Sequence, residues 1–173
     1  MIEAHCENAL SVGDLIPSRG KYQLVLDVTQ FETADEQPKT MYRYHFVWVE
    51  PNGADLISMK NALVDAVKRI YDGKIDDGYL TALGFRVDIK QVNVVDWSAS
   101  LQMLQVSGET EIEVGDYDNQ THVIGSGDYA MMCLEMGAYL RALRSRKWTN
   151  RNAVLSAESI SAAAVAASDW SLQ

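Results

Sequence analysis

Residues 41–49 read Met-Tyr-Arg-Tyr-His-Phe-Val-Trp-Val, and their alternation decides the fold class. In an extended chain successive side chains point to opposite sides, so Tyr42, Tyr44, Phe46 and Trp48 share one face and Arg43, His45, Val47 and Val49 the other. An aromatic face backed by a partly apolar one needs cover on both sides. That cover comes either from the rest of this chain or from a second chain, because aromatic residues are enriched at protein interfaces. Tyr42, Tyr44, Phe46 and Trp48 are therefore interface candidates, and Trp97, Trp148 and Trp170 join them.

Upstream, Tyr22, Leu24, Leu26 and Val28 alternate with Gln23, Asp27 and Thr29, which predicts a second strand with one buried face. The polar stretch 32–40, containing Pro38, separates the two runs, so they are expected to pair antiparallel across a long connection. Residues 1–20 hold Gly13, Pro17 and Gly20 and no sustained period. They are expected to form an arm that docks elsewhere or stays loose.

Downstream, Pro51, Asn52 and Gly53 form a turn, and from Ala54 the period becomes helical through Leu56, Met59, Leu63, Val67 and Ile70. Asp55 in the first turn, Lys68 and Arg69 in the last and Gly73 just beyond agree with the helix dipole and a glycine cap. Asp76, Asp77 and Gly78 read as a turn. Phe85, Val87 and Ile89 then alternate, Val92 and Val94 continue in the opposite phase, and the slip predicts a bulge at Lys90 and Gln91. Residues 97–106 fit both periods: Trp97, Leu101 and Leu104 suit a helix, Ala99, Leu101 and Met103 a strand, and helix is the reading taken. Ile112 and Val114, a polar turn at 116–119 and a return strand at 120–124 predict a hairpin. A helix follows, carrying Tyr129, Met132, Cys133, Met136, Leu140 and Leu143 on one stripe. Gly137 within it suggests a close neighbour, and Ser156 is expected to cap a terminal Ala-rich helix reaching Trp170.

The expected fold is thus α+β: an antiparallel sheet of about four to six strands with three or four packed helices. Its parts are an arm at 1–20, a strand-strand-helix-strand module at 21–95, and a hairpin with helices at 96–173 that belongs to the same domain or adjoins it across a soft boundary.

The 173 residues are 47% hydrophobic and 23% charged, which excludes disordered and fibrous classes. A net charge of -9 repels phosphate backbones and anionic lipid, so neither nucleic acid nor membrane is an expected partner. Arg141, Arg144, Arg146 and Lys147 fall where a helix is expected to end, and cations there suit the dipole. No run of about 18 apolar residues offers a membrane span. The start, Met1, Ile2, Glu3 and His5, lacks the basic and apolar regions of a secretory signal, so cytoplasmic synthesis is expected.

Nothing in the spacing commits to catalysis. His5, His45 and His122 are dispersed, and Cys6 and Cys133 sit in unlike settings, so neither a zinc site nor a disulfide is expected. Asp116, Asp118 and Asn119 resemble the start of a calcium loop, but Thr121 and Gly127 stand where it needs glycine and glutamate, and turn chemistry explains them better. Gly125, Ser126 and Gly127 precede a helix, yet Asp128 follows in place of the lysine of a phosphate loop. No cofactor and no metal are expected.

From about Trp97 to Val165 the order of features resembles a domain of unknown function found in bacteriophage tail and tail-fibre-associated genes. The carriers are residues 92–97, the hairpin 112–117 with 122–124, the helix positions Asp128, Tyr129, Met132, Leu134 and Tyr139, and the segment from Ser156. The uncharged stretch 98–105 departs from that pattern, which has a basic residue there. The N-terminal half is similar in outline to the small α+β modules of phage connector and tail-terminator proteins. The resemblance implies a non-enzymatic phage or prophage structural or assembly protein, tail- or virion-associated, contacting itself as a homo-oligomer or another virion protein. The competing expectation is a small cytoplasmic ligand-binding or regulatory module with an aromatic pocket lined by Trp48, Trp97 and Tyr129. A hydrolase is the weakest reading, because no pair of catalytic groups is visible.

Overall fold

The aromatic stretch forms a strand paired on both sides. The structure, a computed structural model, describes residues 2–33, 39–53 and 55–172, so Pro38 and the expected helix start at Ala54 lie outside the described residues. Strands β1 (Ile2–Cys6), β2 (Leu15–Ser18), β3 (Lys21–Glu32) and β4 (Thr40–Val49) make an antiparallel sheet in the order β1-β4-β3-β2. Residues 1–20, expected as an arm, instead supply both edges of this sheet: Ile2 pairs with Phe46 and Leu15 with Leu24. They read as irregular because both strands are short and edge positions need no sustained apolar face.

β3 and β4 pair from Tyr22↔Val49 to Glu32↔Thr40, with the register slipping between Val25 and Asp27. The bulge at Leu26 corrects the expected face of β3. Tyr22, Leu24 and Leu26 pack with Val47 and Val49 on one side of the sheet, but Val28 joins Val25 on the other, beside Tyr44 and Phe46. One extra residue inverts every later side chain.

By contact density the chain divides into two units, Met1–Tyr71 with Ser145–Gln173, and Asp72–Arg144. This differs from the expected boundary near residue 95, which falls inside a helix. The first unit is built on the sheet. Helices α1 (Leu56–Asp76) and α4 (Ile160–Ser168) cover its Leu24–Val49 side with Met59, Leu63, Ala66, Val67, Ala163, Ala164 and Ala167. The small side chains of α4 let its backbone approach closely. Ser159, and not Ser156, caps α4 by accepting the Ala162 N–H at 3.2 Å. Ser156 is the last residue of α3 (Ser126–Ser156). The opposite side of the sheet buries Val25, Tyr44 and Phe46 beneath Leu10, Ile16, Val28 and Trp48. Both sides of β4 are therefore covered by this chain.

Helix α1 runs through Gly73 to Asp76, and Gly78, at φ 72°, makes the left-handed turn expected at Gly73. Asp55 starts α1 by accepting the Ile57 and Ser58 N–H groups, both at 3.0 Å. A Cβ at Gly73 would meet nothing within 4 Å. Gly73→Ala is therefore expected to stabilise the protein by about 0.5 to 1 kcal/mol, read as a higher midpoint in urea. Gly137 likewise has no close neighbour, contrary to expectation, since its Cβ would meet only the Arg141 guanidinium at 3.5 Å.

The second unit holds β5 (Tyr79–Leu80) paired with β6 (Arg86–Val87), then α2 (Gln91–Ser107), then the expected hairpin of β7 (Glu111–Gly115) and β8 (Thr121–Gly125), and then the first half of α3. The expected bulge at Lys90 is the N-cap of α2, with an extended backbone at φ -60° and ψ 150°, so Val92 and Val94 are helical. Gly108 at φ 72° closes α2, its N–H donating to Leu104 O at 3.2 Å. Val87, Ile89, Leu104, Val114, Tyr129, Met132 and Met136 form this unit's core. The fold is mixed α+β: four helices, the four-stranded antiparallel sheet and two small two-stranded sheets among the described residues.

Helix α3 does not end at Arg141–Lys147 as expected. Past that point Arg146 Nη1 bonds Asp169 Oδ2 at 3.0 Å, Lys147 Nζ lies 4.2 Å from the Tyr71 ring centroid, and buried Asn150 donates to Asp169 O at 2.6 Å. These cations serve tertiary contacts rather than a helix terminus.

Candidate functional site

A cleft of about 750 Å³ lies within the Asp72–Arg144 unit. One wall is the N-terminal half of α2, where helical spacing places Asn93, Asp96, Trp97 and Ser100 along the same edge. Strand β7 and its turn supply the other wall through Glu113, Asp116 and Tyr117, and Tyr129 rises from α3 between them. The Trp97 and Tyr129 rings lie 6.0 Å apart, and the Tyr129 hydroxyl donates to Trp97 O at 3.0 Å, fixing the α2 backbone. Burial pushes the Tyr129 phenol up to about 12, which keeps it a neutral donor.

The polar rim is organised mostly on itself. Asp116 Oδ1 accepts the Asp118 and Gln120 N–H groups at 2.9 and 2.8 Å, and its Oδ2 lies 2.8 Å from His122 Nε2. His122 stacks on Phe85 with centroids 4.1 Å apart. Asn119, at φ 61°, completes this turn of Asp and Asn residues. Lys90 Nζ lies 3.4 Å from Asp76 and 3.9 Å from Asp88, and the Tyr117 hydroxyl donates to Asp76 O at 2.6 Å. Asp96 and Glu113 make no ion pair among the described residues and give the cleft an acidic, aromatic lining suited to a cationic or polar guest.

The hydrogen bond from His122, followed by those from the turn amides, holds the Asp116 carboxyl below its ordinary range. A depressed folded-state pKa stabilises the protein above the unfolded value, and that contribution vanishes as pH falls through the folded one. Asp116→Asn is accordingly expected to lower the urea midpoint at neutral pH, and the gap from the parent should close as both chains are titrated down through the carboxylate range. A gap independent of pH would contradict the charge assignment.

The seven interface candidates divide between the units, Trp97 in the second and the other six in the first. Tyr44 and Phe46 are buried inside the sheet unit, which withdraws them as surface contacts. Trp48 packs edge-on against Phe46 at 5.2 Å and is half-buried, as is Tyr42. Trp170 covers the α4 core and donates from Nε1 to Ala167 O at 3.0 Å. Trp148 is 54% exposed, with the Arg151 guanidinium 5.6 Å from its ring. Trp97 lines the cleft. His45 bridges strands, its Nδ1 2.8 Å from Asp27 Oδ1 and its Nε2 3.4 Å from Glu3 Oε2.

Sequence reasoning missed a second feature of this unit. Helix α2 carries two apolar stripes: Trp97, Leu101 and Leu104 pack on the core, whereas Val92, Val95, Met103 and Val106 are exposed. Reading Val92 and Val94 as a strand hid the outer stripe, although the spacing 92, 95, 99, 103, 106 is itself helical. No known protein family, curated protein or solved structure matches the chain.

Proposed function

We propose that this is a non-enzymatic bacteriophage or prophage structural or assembly protein, tail- or virion-associated, that works through protein–protein contact. The observation that carries the contact reading is the outer stripe of α2, an apolar surface that monomeric proteins normally bury. The order of features from about Trp97 to Val165, resembling phage tail-associated domains, supplies the virion context. The cleft's Asp116 is occupied by the turn amides of Asp118 and Gln120 and by His122, which agrees with a contact role. Mass spectrometry of purified particles and assembly intermediates from a host carrying the gene tests the reading. The protein is expected in them at stoichiometric amount, and its absence from particles, intermediates and tail complexes would sink the proposal.

A second reading, a ligand-binding module, is favoured by the cleft itself, where Trp97 and Tyr129 stand beside Asp96 and Glu113. Trp48, expected in the same pocket, belongs to the other unit. Quenching of Trp97 emission by small aromatic or quaternary ammonium cations, lost in Trp97→Phe, would support it.

A further inference from the structure

The outer stripe of α2 has a sequence order that fits a copy of itself. Val92, Val95, Ala99, Met103 and Val106 recur at steps of three and four, so they lie within one narrow arc, opposite the arc that packs on the core. Val92 is 66%, Val95 61%, Met103 72% and Val106 88% exposed. The order is nearly palindromic about Ala99. Turned antiparallel over a second copy, Val92 shares a layer with Val106 of that copy and Val95 with Met103. Ala99 meets Ala99 at the crossing point, where a small side chain permits close approach.

Electrostatics favour the same arrangement. Between Gln91 and Ser107 the only charged residue is Asp96, in a chain of net charge -9, so α2 is a surface on which two acidic molecules can meet with little repulsion. An antiparallel pair opposes the two helix dipoles, whereas a parallel pair sets like ends together. Even complete cover of Val92, Val95, Met103 and Val106 on both copies reaches only about 1,000 Å², the size of a weak, concentration-dependent interface.

We infer that the partner of the α2 face is a second copy of this chain, bound antiparallel across a two-fold axis at Ala99. This rests on the contact reading proposed above and names its partner. Isologous contacts of this kind are the commonest in homo-oligomers.

Sedimentation equilibrium of the full chain, from low micromolar to several hundred micromolar, should show a monomer–dimer equilibrium. Val106→Asp, at a position whose exposure makes folding insensitive to it, should weaken dimerisation at least tenfold with an unchanged circular dichroism spectrum. Cysteine cross-linking tests the geometry, with the parent chain under the same oxidant giving the background from Cys6 and Cys133. Ala99→Cys should form a 99–99 disulfide, located by peptide mapping. Val92→Cys should not cross-link to itself but should do so when mixed with Val106→Cys. A monomer at every concentration, a dimer indifferent to Val106→Asp, or ready self-cross-linking of Val92→Cys would each overturn the inference. A monomer whose entry into particles is abolished by Val106→Asp would assign the face to a different virion protein, which also overturns it. A chain that dimerises as described yet is absent from particles sinks only the virion reading.

Discussion

Tyr129→Ala is expected to destabilise the Asp72–Arg144 unit by about 3 to 5 kcal/mol, the range for truncating a buried aromatic side chain. Tyr129 is among the largest fully buried side chains and packs with Val87, Ile89, Val114, Met132 and Met136. Its loss removes apolar contacts from three elements at once and frees Trp97 O of its hydrogen bond. Tyr129→Phe removes only that bond and should cost about 1 kcal/mol, so the difference between the two variants isolates packing. Trp97 is the only tryptophan between residues 72 and 144, and red-shifted emission with loss of amide protection in α2 would report the damage locally. A cost of Tyr129→Ala below that of Tyr129→Phe would show that the ring is not packed as described.

Gly78→Ala is expected to cost about 2 to 4 kcal/mol, combining a left-handed backbone position with a clash that cannot relax cheaply. At φ 72° an added Cβ would lie 2.6 Å from the Val87 carbonyl oxygen and 3.0 Å from the Tyr117 ring. The first of these is backbone, held in the β5–β6 pairing of Tyr79 with Val87. Either the turn after α1 opens or β6 shifts, and the Arg86 side chain, which donates to Asp77 O at 2.9 Å, moves with it. Gly84, also left-handed at φ 88° but with nothing within 4 Å, is the control: Gly84→Ala bears the backbone cost alone and should lose less than Gly78→Ala. Equal losses in urea titrations would remove the steric part of the argument.

Helix α2 shows where local reading fails. Its period was legible from Trp97 to Leu104, but apolar residues on both sides blurred the amphipathic signal, and Val92 and Val94 continued an apparent alternation from Ile89. Only the turn at Lys90 separates strand from helix, and no side-chain cap marks it. The cleft was less legible still. Trp97 and Tyr129 were named for a pocket, but Asp96 and Glu113 carry no periodic signal and come together through the packing of α2 against the hairpin.

The amino-acid sequence by itself determined the α+β class, β4 and its pairing with β3, the core of α1, the hairpin around Asp116 and the stripe of α3 from Tyr129 to Leu143. Each of these is written in a period or a turn within about a dozen residues, the range over which side-chain spacing acts directly on the backbone. Tertiary structure decided the rest: that residues 2–6 and 15–18 become the edges of the sheet, that Leu26 bulges and sends Val28 to the other side, that Tyr44 and Phe46 are covered from within, and that α2 keeps an apolar stripe bare. Those outcomes depend on which distant segment arrives to pair or to cover, a choice made by the summed burial of the whole chain and invisible to any short window of it.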